Sequence, residues 1–199
     1  GLYDDESVGL RPPRVIKKGV QYNHANASPA VVLHTLMRFV WGAATHQGMI
    51  RQNNEDSLFP DSSGESEGTA VLMVADGMGG HVAGEVASRL AVNAAASSDS
   101  EPADRVAAGN RAIFEQVARE QTLEGMGTTM TLVSLDKGGI ATFGHVGDSR
   151  AYLYRGEKLR QLTQDHTVAA GYVALGEIEP EEADTHPQRH ILTKALGLI

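Results

Sequence analysis

Residues 69–80 of this 199-residue chain read TAVLMVADGMGG, an apolar run that becomes a glycine-rich segment at Asp76. The near-continuous apolar stretch 69–75 has the length and composition of a buried β-strand. We predict that Asp76 ends this strand and opens a turn over residues 77–80, so that its carboxylate projects beside exposed backbone. Mg²⁺ and Mn²⁺ prefer carboxylate and carbonyl oxygens, and such a position suits a hard cation. The alternative is a tight turn whose acidic residue caps a helix.

The glycines also invite comparison with phosphate-binding loops, but their spacing excludes those motifs. A G-x-G-x-x-G fingerprint that starts at Gly77 would need glycine at position 82, where Val82 stands. The chain contains neither the Gly-Lys-Ser/Thr of a P-loop nor a Gly-x-Ser-x-Gly nucleophile elbow.

Outward from this stretch, the pattern predicts strands and helices in separate blocks. Short apolar runs predict strands at 39–45 and 58–59, and two helices follow, one from Gly84 to Ala96 and one over 102–121. Period-two patterns around turns at 136–139 and 155–157 predict two β-hairpins. Because the helices do not alternate one for one with strands, we predict an α+β fold with antiparallel sheets covered by helices.

Composition excludes several classes of function. The net charge of −8 is opposite in sign to that of proteins that bind nucleic acids or anionic membranes. The absence of cysteine excludes disulfides, thiolate metal sites and a cysteine nucleophile. The longest apolar stretch, 30–44, is interrupted by His34 and Arg38 and is too short to span a bilayer. With no signal-peptide pattern, we expect a cytoplasmic protein.

The N-terminal region differs from the rest of the chain. Residues 1–27 are polar and unpatterned, which is typical of a peripheral extension, and Ser28-Pro29 resembles the start of a helix. We therefore predict an N-terminal extension over residues 1–38 and a folded domain over residues 39–199.

A second candidate cluster lies in one short segment before the central strand. Arg51 precedes Glu55 by four residues, and Asp56 follows directly. A guanidinium can bind a phosphate group through two parallel hydrogen bonds, while carboxylates bind metal ions and orient water. This combination suggests phosphoryl chemistry. The alternative is a surface ion pair worth about 0–1 kcal/mol.

Histidine does not point to a zinc site. The eight histidines are scattered, and none forms a His-x-x-x-His pair on a predicted helix. Those near acidic residues are interpreted as ordinary loop histidines: His46, His81 and His166.

Five segments taken in order resemble one known family. They are residues 45–57 (THQGMIRQNNEDS), 74–88 (VADGMGGHVAGEVAS), 127–129 (GTT), 144–152 (GHVGDSRAY) and 162–166 (LTQDH). Together they resemble the bacterial metal-dependent protein phosphatases of the PPM, or protein phosphatase 2C-like, family. The resemblance covers about residues 39–197. It implies a four-layer α-β-β-α sandwich of two antiparallel sheets flanked by helices, with a metal site at one edge of the sheets.

The resemblance also implies roles for individual residues. Asp76 would bridge two Mn²⁺ or Mg²⁺ ions, Gly77 (through its carbonyl) and Glu55 would bind one of them, and Asp56 would hold metal-bound waters. A water between the two cations would attack phosphorus in line. Arg51 would clamp the phosphate oxygens, and Asp148 would serve a third, weaker metal. The segments around Glu85 and residues 127–129 are assigned to scaffold.

Two departures from the family pattern affect these expectations. Met78 stands where some members have a histidine, and a methionine cannot protonate a leaving alkoxide. The last two acidic motifs of the family, Ser-Asp-Gly and Asp-Asn, are absent before the chain ends at Ile199. The chain is therefore expected to be C-terminally short and to hold about half of the carboxylate ligands. Unpaired strand edges would then favour homodimerisation by strand exchange.

Two function classes follow from the resemblance. The first is a metal-dependent phosphatase acting on phosphoserine and phosphothreonine in proteins, with phosphorylated proteins and a cognate serine/threonine kinase pathway as partners. The second is a pseudophosphatase, or phosphoprotein-binding module, with an incomplete metal centre. Neither class involves nucleic acid or a membrane.

Overall fold

The computed structural model describes residues 7–9, 36–49, 51, 53–79 and 82–198. The strands are β1 Ser7–Gly9, β2 Arg38–Trp41, β3 Asp56–Phe59, β4 Gly64–Glu67, β5 Ala70–Met78, β6 Gly127–Thr128, β7 Met130–Leu135, β8 Ile140–Val146, β9 Tyr152–Arg155 and β10 Lys158–Gln161. The helices are α1 Val82–Ser97, α2 Pro102–Arg119, α3 Val168–Leu175 and α4 Pro180–Ala183, and a 3₁₀ turn covers Gln121–Leu123.

The main sheet has the order β1-β8-β7-β5-β3, with β6 paired to the end of β5, and its pairings are antiparallel. The apolar run predicted as a strand is β5, which lies between β7 and β3. The predicted turn at residues 77–80 begins too early, because β5 continues through Asp76 to Met78 and pairs there with β6. Asp76 therefore lies within a strand and not at its end.

Helices α1 and α2 form most of the hydrophobic core with one face of this sheet. Small side chains of α1 are fully buried and allow a close helix crossing, at which an added Cβ on Gly109 would lie 3.1 Å from the Ala91 carbonyl oxygen. On the sheet side, Met73, Met130 and Leu132 belong to the same cluster. The two predicted helices are confirmed, with observed ends within three residues of the predicted ones.

Arg105 joins the two helices through their backbone. Its side chain is buried, and its Nε and Nη1 donate to the carbonyl oxygens of Ser100 and Ala95, each at 2.8 Å. Ala95 lies in the last turn of α1, where carbonyls lack partners within the helix. Arg105 therefore satisfies a helix end that would otherwise be buried without a donor.

We expect Arg105→Met to lower the free energy of unfolding by about 2–3 kcal/mol, because two charge-assisted hydrogen bonds are lost, one to a buried and one to a partly buried backbone carbonyl. Urea unfolding followed by circular dichroism measures this change. Arg119→Met in the same helix is the control, since its side chain is 72% exposed and its pair with Glu115 spans 3.6 Å. Equal losses in the two variants would contradict the assigned role.

The two hairpins predicted in the second half of the chain are confirmed. Strands β7 and β8 pair around residues 136–139, and β9 and β10 around the two-residue loop Gly156-Glu157. Both loop residues have positive φ, 55° and 63°, as a type I′ turn requires. Another two-stranded sheet pairs β2 with β4, and β4 was not predicted.

Other parts of the chain differ from the prediction or stay untested. The strand predicted over 39–45 ends at Trp41, and helices α3 and α4 were not predicted. The helix predicted at Ser28 lies outside the described residues. The predicted boundary at residue 38 between the extension and the folded domain stays a prediction. Strand β1, Ser7–Gly9, belongs to the predicted extension and pairs with β8. Within the described ranges, no helix is long and apolar enough to cross a membrane.

Candidate metal and phosphate site

The register of β3 against β5 brings two predicted site residues together. Asp56 lies directly opposite Asp76 in the antiparallel ladder. Directly opposed residues project from the same face of a sheet with their Cβ atoms about 5 Å apart, and like charges in such a pair repel each other. A pair of facing carboxylates is therefore a site that a cation would stabilise.

The electrostatics of Asp76 reflect this arrangement. Its pKa is raised from 3.8 to about 6, first by partial burial of the carboxyl group and then by the negative charge of Asp56. Asp148 adds a smaller increase, whereas the positive charge of Arg51 lowers the pKa. The donor set fits a hard divalent cation, since two hard oxygen ligands face each other at an energetic cost that a positive charge would relieve.

Threonines hold the backbone of Asp76 in place. Its N–H donates to the Thr129 hydroxyl at 2.9 Å, and its carbonyl oxygen accepts from the Thr128 hydroxyl and from the Thr129 N–H, both at 2.9 Å. Thr128 and Thr129 are fully buried. Both threonines were assigned to the scaffold from the sequence. In the structure they support the site by holding the backbone of Asp76 through these hydrogen bonds.

Gly77 lies where the strand and the first turn of α1 nearly touch. A Cβ added to Gly77 would lie 2.0 Å from the carbonyl oxygen of Gly84 and 2.7 Å from that of Glu55. The N–H of Gly77 also donates to the Glu55 carbonyl at 3.0 Å. Glycine is required here for packing, because any side chain would overlap backbone atoms of two neighbouring segments.

Arg51 and Glu55 form an ion pair at the rim of the same site. Arg51 Nη1 lies 3.5 Å from Glu55 Oε2, and the side chain of Arg51 is 63% exposed whereas that of Glu55 is 16% exposed. The ion pair that the sequence suggested is therefore formed. Arg51 also interacts with Asp76, because its positive charge lowers the pKa of that carboxyl group. The guanidinium keeps most of its surface available to a ligand.

Four of the six predicted site residues, Arg51, Glu55, Asp56 and Asp76, line a cavity of about 290 Å³ that also contains His46. The Gly48 N–H donates to His46 Nδ1 at 2.9 Å, so the neutral ring carries its proton on Nε2. An adjoining cavity of about 360 Å³ shares His46, Asp56 and Asp76 and also contains Ser149. His46 and Ser149 were not predicted as site residues.

Asp148 lies in the loop that follows β8 and lines a different cavity, of about 590 Å³, with Arg150, Asp165, Asp184 and His190. Arg150 Nη2 pairs with Asp165 at 2.6 Å, which holds this second acidic loop in place. Within the described part of the chain, no three histidine or acidic side chains are grouped closely enough to hold a metal ion. The structure thus brings Asp56 and Asp76 together, while Asp148 lines another cavity but is near enough for its charge to act on Asp76.

His166 lies in a loop, as expected from the sequence, and the structure adds that it is buried. It is only 8% exposed, and its Nδ1 accepts a hydrogen bond from the Gly147 N–H at 3.1 Å. Its ring stacks on that of His145 with centroids 4.9 Å apart. His81 lies outside the described residues.

Comparison with known proteins decides the family. The sequence profile of the Protein phosphatase 2C family matches residues 46–194, which is most of the chain and contains every predicted site residue. The chain belongs to the protein phosphatase 2C family. The resemblance inferred from the five segments is therefore confirmed, and so is the α+β class with antiparallel sheets and helices.

Similar members of the family come from bacteria. The serine/threonine protein phosphatase PstP of Mycobacterium tuberculosis is 45% identical over 165 residues, which cover 78% of this chain and 30% of PstP. The serine/threonine phosphatase stp of Listeria monocytogenes is 36% identical over 169 residues, 77% of this chain and 65% of stp. The chain thus spans less than two thirds of the length of either relative.

Solved structures of phosphatase 2C proteins share the fold. The crystal structure of M. tuberculosis PstP/Ppp matches with a TM-score of 0.67 at 43% identity, over 81% of this chain and 68% of that one. The catalytic domain of PstP in complex with two manganese ions matches with a TM-score of 0.60 at 36% identity, over 81% and 66% of the respective chains.

Proposed function

We propose that this chain is a metal-dependent phosphatase that hydrolyses phosphoserine and phosphothreonine in proteins. The observation that carries the proposal is the pair Asp56 and Asp76, opposed across two strands in a cavity that also contains Arg51. Carboxylates that face each other suit a cation, and an exposed guanidinium beside them suits a phosphate. The manganese in the structure of the PstP catalytic domain supports the same chemistry.

We assign the residues as follows. Asp56, Asp76, Glu55 and the Gly77 carbonyl would hold two Mn²⁺ or Mg²⁺ ions, and Asp148 would hold a third. Bound divalent cations would neutralise charge on the transferring phosphoryl group and make water a better nucleophile.

Arg51 would bind the phosphate oxygens through its exposed guanidinium, which orients the phosphorus toward Asp76. Asp56 would accept a hydrogen bond from the attacking water and so orient it. Glu55 limits the movement of Arg51 through their ion pair.

A second candidate function is a phosphoprotein-binding module without turnover. The observation that favours it is the absence, among the described residues, of any group of three acidic or histidine side chains that could hold a metal. Such a module would still use Arg51 to recognise a phosphate group.

The test is hydrolysis of a small aryl phosphate and of a phosphothreonine peptide by this chain, in Mn²⁺ and in EDTA. We expect turnover in Mn²⁺ alone, and we expect Arg51→Ala to reduce kcat/KM at least about 10-fold because a charged phosphate contact is lost. Arg89→Ala is the matched control, since Arg89 forms a comparable pair with Glu85 at 3.0 Å on the surface of α1. Phosphopeptide binding without turnover would favour the module instead.

We propose the remaining features on the same family basis. The fold would be a four-layer α-β-β-α sandwich, and the phosphatase domain would occupy residues 39–199. The protein would act in the cytoplasm on phosphorylated proteins of a serine/threonine kinase pathway, without nucleic acid or membrane partners. A homodimer would form by pairing of strand edges.

A further inference from the structure

The buried pair of Thr131 and His145 lies behind the candidate site and is not used by the proposed mechanism. The two residues face each other across β7 and β8 and are 6% and 3% exposed. Strand alternation places them on the face of the sheet opposite that of Met130 and Leu132, which pack in the helix-covered core. Their polar atoms need hydrogen-bond partners, because an unsatisfied polar group at this depth is costly.

The hydrogen bonds around this pair determine where the protons lie. Thr131 Oγ1 is 2.6 Å from the Ser149 carbonyl oxygen and 2.8 Å from His145 Nδ1. A carbonyl oxygen can only accept, so the single hydroxyl proton of Thr131 is donated to Ser149. The proton between Thr131 and His145 must then come from Nδ1 of the histidine.

The other ring nitrogen must donate as well. His145 Nε2 lies 2.9 Å from the carbonyl oxygen of Gln164, which is also only an acceptor. We therefore propose that His145 is an imidazolium. Its Nε2–H binds the loop that carries Asp165, and its Nδ1–H binds Thr131, whose hydroxyl in turn binds the loop that carries Asp148. His145 is a positioning residue for the acidic site.

The surroundings are compatible with a buried cation. In the sequence, Asp148 precedes Ser149 and Asp165 follows Gln164, so each bonded loop carries a carboxylate. The charge of Asp165 is shared with Arg150, which pairs with it at 2.6 Å. The stacked ring of His166 accepts the Gly147 N–H on Nδ1 and is therefore neutral, so the two stacked rings do not both carry a positive charge. Both N–H groups of the imidazolium have acceptors, as burial of a charge requires.

The position of Ser149 extends this effect to Asp76. The Ser149 hydroxyl lies 2.7 Å from that of Thr129, which in turn accepts the N–H of Asp76. A cation at His145 therefore helps to hold the loop that contains Ser149, because Thr131 binds both His145 and Ser149. This loop contacts Thr129, which binds the backbone N–H of Asp76. Supporting residues of this kind affect metal sites because they fix the orientation of the ligands.

The test uses nitrogen NMR of the histidine side chains in the full 199-residue chain, in EDTA at pH 7.5. We expect both ring nitrogens of His145 to show the signals of protonated nitrogen. Thr131→Val removes the acceptor of Nδ1 without changing the size of the side chain, and we expect a neutral ring with its proton on Nε2. Thr131→Ser keeps the hydroxyl and should keep the imidazolium.

A second readout tests positioning. The backbone amides of Gly147 and Ala151, at the two ends of the loop that contains Ser149, donate hydrogen bonds to His166 Nδ1 and Thr163 Oγ1. We expect both to exchange with solvent at least about 10-fold faster in Thr131→Val and at the original rate in Thr131→Ser. A neutral His145 in the unmodified chain would overturn the proposal, and this measurement decides even if Thr131→Val does not fold. Unchanged amide exchange in a folded Thr131→Val would overturn the positioning role. Neither readout depends on phosphatase activity, so each stays informative if the proposed function fails.

Discussion

Gly77→Ala is expected to lower the free energy of unfolding by at least about 4 kcal/mol, the range reached by substitutions that force backbone apart. The new Cβ would lie 2.0 Å from the Gly84 carbonyl oxygen and 2.4 Å from the Gly84 carbonyl carbon. These are backbone atoms at the start of α1, so they cannot rotate away as a side chain could. Relief would require the helix to move from the strand, which would disrupt the packing of α1 against β5.

Thermal unfolding of the metal-free chain measures this effect, and for a protein of this size we expect the melting temperature to fall by roughly 10 °C or more. The matched control is Gly171→Ala within α3, where an added Cβ meets no atom within 4 Å. That change should be neutral or stabilising by up to about 1 kcal/mol, because alanine favours helix over glycine. A melting temperature of Gly77→Ala within about 2 °C of the unmodified chain would contradict the close packing.

Asp76→Asn is expected to have opposite effects on activity and on metal-free stability. In Mn²⁺ we expect turnover to fall at least about 100-fold, since a residue proposed to hold the cations loses its charge. In EDTA at pH 7.5 we expect the variant to be more stable than the unmodified chain by up to about 1 kcal/mol. The variant avoids the cost of partly burying a charged carboxyl group and, second, the repulsion from Asp56, and solvent screening keeps this gain small.

The raised pKa of Asp76 determines how the stability difference between Asp76→Asn and the unmodified chain changes with pH. The pKa of Asp76 is about 6 in the folded chain against 3.8 for the free group, so the folded chain binds this proton more tightly. The resulting stability is fully present below pH 3.8 and is lost as pH rises through 6. The advantage of Asp76→Asn in EDTA should therefore grow between these values and vanish near pH 3.5.

Thermal scans from pH 3.5 to 8 in EDTA, repeated in Mn²⁺, test this behaviour. Asp61→Asn on an exposed loop is the control and should follow the unmodified chain at every pH. Mn²⁺ should raise the melting temperature of the unmodified chain and of the control but not that of Asp76→Asn. If Asp76→Asn is less stable than the unmodified chain in EDTA at pH 7.5, the proposed cost of the ionised Asp76 carboxyl group, from burial and from repulsion by Asp56, is wrong.

Elements with a strong local pattern were predictable. The apolar run of β5, the alanine-rich α1 and the hairpins β7–β8 and β9–β10 each carry their signal within a short window. In these segments local preference and tertiary packing favour the same conformation, so pattern and structure agree.

Elements without such a pattern were missed. Strand β4 reads GESE and has no apolar alternation. It exists because it pairs with β2, where Trp41 lies against Gly64 and donates from Nε1 to the Ser62 carbonyl at 2.9 Å. A strand stabilised by its partner cannot be recognised from its own residues.

The order of motifs in the sequence determined the family and singled out Arg51, Glu55, Asp56, Asp76 and Asp148, because side-chain chemistry and spacing are properties of the chain itself. Only the tertiary structure decided how these groups meet. The register of β3 on β5 placed Asp56 opposite Asp76, and the crossing of α1 over β5 made Gly77 obligatory. The proton count at His145 likewise depends on carbonyl groups from two loops 15 residues apart, Ser149 and Gln164. Contacts between distant segments depend on the geometry of the whole fold, and no local pattern records them.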